Sequence, residues 1–228
     1  MSFIRFSQRA LLGISPNQGN LHAITLKRRH GGFGPVPRNV YRFNSDGFIN
    51  TGVNDINGPG RVTCAVEWDG STVSPNMYCY GTQNNQCGIY FNTGTGEVVG
   101  QRGGVALVAS GFFAIPGYAF TVEYSWDGPN DGVSTTSISI NGSLMNTGLV
   151  GTNVTMNTIK LAARGSLTDP FFGLAANYKV WRSDPDSNPP DIDCPINEGS
   201  GVTITNNGAL GGAYTLTPGT GAWETYTP

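Results

Sequence analysis

Two packed antiparallel β-sheets preceded by an extended arm are what this sequence predicts, and three observations carry that reading. Apolar residues in the body of the chain alternate with period two. No segment holds apolar residues at i, i+3, i+4 and i+7 over successive turns without Gly or Pro intervening, which leaves little room for helix. Charged residues make up 12% of the chain, about half the ~25% of an average domain, while Gly (33), Thr (22) and Asn (21) are abundant. A surface wetted by amides and hydroxyls suits many short strands joined by tight turns. At 228 residues the chain is long enough to bury a full core as one domain.

The elements follow in order. Val40 to Phe43 opens the body as a strand. In Arg61 to Trp68, Val62, Cys64, Val66 and Trp68 share one face, and Thr63, Ala65 and Glu67 take the other. Met77 to Tyr80, Gly88 to Phe91, Glu97 to Gln101 and Val105 to Phe113 follow as strands between Gly- and Asn-rich turns. Ala119 to Trp126 repeats the alternation, with Phe120, Val122, Tyr124 and Trp126 on one side and Thr121, Glu123 and Ser125 on the other. Ser137 to Ile140 runs into Asn141-Gly142, the strongest two-residue hairpin signal, and returns through Ser143-Leu144-Met145, giving an antiparallel meander. Thr158 to Ala162, Phe171 to Trp181 and Ala213 to Leu216 complete the expected strands.

These residues resemble the concanavalin A-like lectin/glucanase (laminin-G-like) sandwiches. Tyr41-Arg-Phe-Asn-Ser-Asp-Gly-Phe-Ile-Asn-Thr-Gly52 is similar to the opening strand and turn of that family, and Arg61 to Gly70 to the strand after it. Phe120 to Gly128 with Ser137 to Gly142 resembles the paired strands ending in an Asn-Gly hairpin. Ile159 to Gly165 with Phe172 to Arg182 resembles the late strand pair. The segments Pro195-Ile-Asn-Glu-Gly-Ser-Gly201, Gly211 to Thr217 and Gly221-Ala-Trp-Glu224 look like the closing stretch of such modules in bacteriophage-type proteins, where a strand carrying Asn-Glu-Gly-Ser-Gly returns to the sheet. The resemblance implies an antiparallel two-sheet jelly-roll sandwich; it does not by itself give a function.

Catalysis is not expected. Glycan hydrolysis needs two carboxylates flanking the scissile bond, and the related glucanases place them as Glu-x-Asp-x-x-Glu on one strand. Glu67 and Asp69 are the nearest approach, and no further carboxylate follows until Glu97; a solvated Glu67 and an Asp69-Gly70 turn account for them. His22 and His30 both lie in the arm, away from any nucleophile-base pairing in the body. Gly31-Gly-Phe-Gly34 and Gly94-Thr-Gly96 lack the strand, helix and Lys of a phosphate loop. The run Ser183 to Asp193 holds four Asp and three Pro without the mid-loop Gly and closing Glu of a calcium loop, and reads as a stiff, solvated connector. Cys64, Cys79, Cys87 and Cys194 show no metal-ligand spacing and read as buried reduced thiols. No cofactor or metal is expected. Trp68, Trp126 and Trp181 end strands in apolar stripes and read as core, which leaves Trp223, in a Gly-rich terminus, as the candidate carbohydrate-binding residue.

The arm carries the other signal. Residues 1–45 contain seven Lys/Arg and no Asp/Glu, whereas residues 46–228 hold six Lys/Arg against fifteen Asp/Glu, so a +7 segment joins a −9 body. We place the arm at residues 1–39 and the sandwich at 40–228, with Arg5, Arg9, Lys27, Arg28, Arg29 and Arg38 as partner-binding residues of the arm. Phe3, Ile4, Phe6, Leu11, Leu12, Ile14, Leu21, Ile24 and Leu26 make it too apolar to remain comfortably in water, so it is expected to lie on a neighbouring subunit. No apolar h-region follows Met1 and no run of eighteen apolar residues occurs, which predicts a soluble chain made in a cytoplasm, without membrane insertion. Nucleic-acid binding would want more aromatic and basic interleaving.

Together with the phage-like closing stretch, this reads as a bacteriophage virion structural protein. Its arm docks on other virion proteins and its sandwich is exposed, in the manner of a tail fibre or receptor-binding protein that recognises host-surface glycans, and a homotrimer is the expected assembly. Two alternatives stand beside it: a capsid decoration protein, and a free carbohydrate-binding module without catalysis.

Overall fold

The computed structural model describes residues 38–44, 46–56, 58–82, 87–129, 133–151, 157–164 and 169–227. In chain order the strands are β1 (Arg38–Phe43), β2 (Phe48–Asn54), β3 (Gly60–Trp68), β4 (Asn76–Thr82), β5 (Cys87–Asn92), β6 (Glu97–Arg102), β7 (Val105–Phe113) and β8 (Ala119–Trp126). They continue with β9 (Thr135–Ile140), β10 (Ser143–Leu149), β11 (Thr158–Leu161), β12 (Gly173–Trp181), β13 (Ile192–Cys194), β14 (Thr203–Thr205), β15 (Ala213–Thr217) and β16 (Ala222–Tyr226). Two eight-stranded antiparallel sheets result. The first runs β10-β9-β8-β3-β12-β1-β16 with β13 added alongside β12, and the second runs β14-β15-β2-β11-β4-β5-β6-β7. The described residues form an all-β jelly-roll sandwich.

The alternation dictates the layers. Val62, Cys64 and Val66 of β3 and Phe120, Val122 and Tyr124 of β8 turn into the space between the sheets, all within 2% of complete burial, and meet Met77, Cys79, Ile89 and Phe91 from the second sheet. Asn141 and Gly142 join β9 to β10 at φ 51° and 77°, the left-handed pair that a type I′ turn demands. The strand expected to begin at Phe171 starts at Gly173 instead. There φ is 142° and the backbone lies against the Glu67 carbonyl so closely that no Cβ fits.

Four strands escaped the pattern: β2, β13, β14 and β16. The first is interrupted by Gly52 at φ 65°, two are three residues long, and β16 has Trp223 and Glu224 both half-buried. Residues 195–201, expected as a returning strand, form none. Glu198 instead accepts from the backbone N–H groups of Asn197 and Thr205 at 3.0 and 2.8 Å, shaping a turn ahead of β14. The Asp- and Pro-rich connector is also less solvated than expected: Asp191 accepts from the Arg182 N–H at 2.8 Å, and Asp193 lies in β13, 3.9 Å from Lys179 Nζ.

All four cysteines are free and buried. Cys64 and Cys79 face each other across the sheets at 3.8 Å between sulfurs, while Cys87 lies 3.4 Å from a guanidinium nitrogen of Arg102. Arg102 is fully buried between the sheets. Its Nη1 holds the Asp55 carboxylate at 2.8 Å, its Nη2 donates to the Ile56 carbonyl at 2.9 Å, and its plane lies 4.0 Å from the Trp126 ring centre. Burial pushes the Cys87 thiol up to about 12, even beside that cation.

Tyrosines fill much of the remaining core, and burial raises their pKa values: Tyr78 and Tyr214 to about 12, Tyr80 and Tyr178 well above the ordinary 10.0. Above pH ~10 an unfolded chain releases phenol protons that the native chain retains, so stability is full below that pH and is lost as pH rises through 10 to 12 and beyond. Alkaline titration followed by tyrosinate absorbance and circular dichroism should show phenol ionisation coinciding with loss of the sheet. Titration of all nine tyrosines near 10 with the sheet intact would contradict this packing.

Candidate functional site

The outward residues of β3, β8 and β9 line a groove of about 340 Å³ on the outer face of the first sheet. Because Val62, Tyr124 and Ile138 point inward, Arg61, Glu123, Ser125 and Ser137 must point outward, and the register sets Arg61 opposite Ser125 and Ser125 opposite Ser137. The hydroxyls of Ser125 and Ser137 share a hydrogen bond of 2.7 Å on the groove floor. Asp127 and Thr135 close one end, where the Thr135 N–H donates to Asp127 Oδ1 at 2.6 Å. Pro185 and Asp186, from the connector between β12 and β13, raise one wall. That wall is shaped by Asp184, which accepts from the N–H groups of Asp186 and Ser187.

Among the described residues Arg61 makes no ion pair or side-chain hydrogen bond, whereas Arg38, Arg42, Arg102, Arg164 and Arg182 each make one. The Arg61 guanidinium lies on Trp181, 4.0 Å from the ring centre, and its Nε is buried with no hydrogen-bond partner. Trp181 is fixed in turn by its indole N–H, which donates to the Ser187 carbonyl at 2.8 Å. The groove thus sets one stacked guanidinium and several hydroxyls among three carboxylates, Glu123, Asp127 and Asp186. Its size falls within the ~300–1,000 Å³ of small-molecule sites. Acceptors and donors interleaved in this way match a ligand whose own groups both donate and accept, as vicinal hydroxyls do.

Of the predicted site residues, Arg5, Arg9, Lys27, Arg28 and Arg29 lie outside the described residues. Arg38, expected in the arm, belongs to β1 and is spent inside the sandwich: Nη2 donates to Asn177 Oδ1 and to the Pro195 carbonyl, both at 2.9 Å. Trp223 is half-buried in β16; its ring meets Tyr41 edge-on at 5.3 Å and its N–H donates to the Gly201 carbonyl at 3.0 Å, the posture of a packing residue. Trp68 and Trp126 are core residues as expected. Trp181 is equally buried but lies on the outer face opposite Arg61, since the irregularity between Ala176 and Lys179 shifts the alternation of β12. Asp69 accepts from the Ser71 N–H at 2.8 Å in a turn. No group of three or more potential metal ligands occurs among the described residues.

Sequence reasoning missed the Arg61–Trp181 pair and the Glu123, Ser125 and Ser137 floor. Alternation marked Glu123 and Ser125 as a wet face, and that was the available signal; which strands lie side by side is a matter of register.

No family model and no curated protein matches the chain. Solved structures do. A Bacteroides ovatus protein proposed to bind carbohydrate superposes at TM-score 0.61 with 13% identity, over 83% of this chain and 60% of its own length. The fold is concanavalin A-like. A heptameric pentraxin from Limulus polyphemus (TM-score 0.49, 14% identity, 64% of this chain, 76% of that one) and the LG4-5 domains of mouse laminin α1 (0.46, 14%, 75%, 52%) are also similar. The chain spans less than two thirds of the Bacteroides protein's length. In this concanavalin A-like sandwich the groove occupies the first sheet near its β10 edge.

Proposed function

We propose that the sandwich is a carbohydrate-binding module and that the groove over β3, β8 and β9 is its binding site. The observation that carries this is Arg61, stacked on Trp181 and making no ion pair or side-chain hydrogen bond of its own among the described residues, in a groove whose other polar groups are hydroxyls and carboxylates. A guanidinium flanked by acceptors is suited to a sugar's hydroxyl pairs, and the Pro185 ring supplies an apolar edge. The similarity in fold to a Bacteroides protein proposed to bind carbohydrate supports the reading.

Binding without hydrolysis is the reading we adopt. The chain has no Glu-x-Asp-x-x-Glu strand, and Asp127 is already engaged by the Thr135 N–H at 2.6 Å. The virion reading rests on the arm, whose residues 1–37 lie outside the described residues, and on the resemblance of the closing stretch; the similarity in fold favours the free carbohydrate-binding module over it.

A glycan array on the intact chain, followed by titration calorimetry on the best ligand, tests this. Arg61→Ala and Glu123→Gln should each weaken binding about tenfold, ~1.4 kcal/mol, with thermal unfolding unchanged. Absence of any glycan ligand, or affinity indifferent to both substitutions, would overturn the assignment. Release of shortened oligosaccharides would overturn its non-catalytic part.

A further inference from the structure

We propose that the flank formed by β7 and β10 is the surface through which two copies of this chain associate. Residues 103–122 and 133–151, which include β7, β9 and β10, contain no Asp, Glu, Lys or Arg. At the chain's 12% charge those 39 positions would hold about five. On this uncharged flank Leu144, Leu149 and Val105 are 62, 57 and 39% exposed. The strands bearing them are the free edges of the two sheets and lie side by side, with Gly148 of β10 over the Leu107 side chain of β7.

The opposite flank is built otherwise. There the second sheet ends in β14, only three residues long, and the first ends in β16, where Glu224 is ion-paired to Arg42 at 2.6 Å. Short strands and charges are the usual guards of a sheet edge. One flank is guarded against association and the other presents large apolar side chains.

The chemistry of the flank selects its occupant. An added strand is disfavoured, because the β10 edge is bulged between Leu144 and Asn146 and the Asn146 amide already serves it, accepting from the Thr147 N–H at 2.9 Å and donating to the Val108 carbonyl at 3.0 Å. The basic arm fits poorly, since its Lys and Arg would meet no carboxylate on either stretch, and burying unpaired cations is costly. A second copy brings the same two uncharged, apolar strands, so that neither β7 nor β10 sets an unpaired ion against its partner. Closed association of one patch with itself is two-fold. With the two β10 strands antiparallel across the axis, Leu144 of each copy meets Leu149 of the other. This predicts a dimer in place of the homotrimer expected for an attachment protein.

Sedimentation velocity on the intact chain up to about 100 μM tests the proposal. The chain should be dimeric, and Leu144→Lys/Leu149→Lys should raise the dissociation constant at least tenfold while the thermal midpoint holds. Val202→Lys/Leu210→Lys, at exposed apolar positions beside β14 on the opposite flank, should leave the dimer intact. Should the lysines unfold the sandwich, Leu144→Thr/Leu149→Thr, whose side chains suit a strand, reads the same surface. The proposal is overturned by a monomer throughout, by a trimer, by a dimer that survives the β10 substitutions, or by one that Lys27→Glu/Arg28→Glu/Arg29→Glu dissolves, which would make the arm the contact.

Discussion

Replacing Arg102 with alanine is expected to cost about 3–5 kcal/mol of folding stability, enough to unfold a marginal domain. Arg102 is the largest fully buried side chain of the sandwich, and its loss leaves the Asp55 carboxylate, itself 1% exposed in its side chain, without a counter-ion between the sheets. The Ile56 carbonyl loses its donor, and the Trp126 ring loses the plane stacked on it at 4.0 Å. A cavity and an uncompensated charge appear together. Urea unfolding followed by tryptophan fluorescence measures the loss. Arg102→Met/Asp55→Asn, which removes both charges and keeps most of the volume, should recover at least half of it, because much of the penalty is the orphaned carboxylate. A cost below about 1 kcal/mol for Arg102→Ala would mean that the pair is solvated in solution.

Trp181→Ala should have the second-largest effect and should strike fold and site together. Trp181 is 7% exposed, so truncation removes a large buried ring at about 3–5 kcal/mol. It also takes away the surface on which Arg61 lies and the indole N–H that anchors the connector at Ser187, so both the guanidinium and the Pro185–Asp186 wall lose their placement. Glycan binding should vanish even at temperatures where the variant is still folded. Trp181→Phe separates the contributions: an aromatic face remains for Arg61, and only the hydrogen bond to Ser187 is lost, worth about 1 kcal/mol. Calorimetric binding and thermal unfolding of both variants decide the matter. Full binding by folded Trp181→Ala would remove the Arg61–Trp181 pair from the site.

The strands were legible where local chemistry repeats. β7 and β8 begin and end where alternation and turn residues place them, and the Asn141-Gly142 hairpin turns as its φ preferences require. Short strands without a stripe were not legible. β13 and β14 exist because β12 and β15 already offer open backbone edges, which three residues can join without any pattern of their own. The site was half legible. Glu123 and Ser125 could be read as outward-facing, but Arg61 looked like the polar start of a strand and Trp181 like its apolar end.

Alternation, turn residues and low charge are properties of neighbours in sequence, so the sequence by itself determined an all-β chain, most strand positions, the inward stripes, and the separation of a basic, apolar leading segment from an acidic body. The pairing of Asp55 with Arg102, the stacking of Arg61 on Trp181, the withdrawal of Arg38 and Trp223 into packing roles, and the uncharged flank of β7 and β10 join residues tens of positions apart. Those contacts depend on sheet order and register. A one-residue shift at the β12 irregularity sends Trp181 to the opposite face of the sheet, and only the packed sandwich, weighing every strand's burial at once, selects between the two.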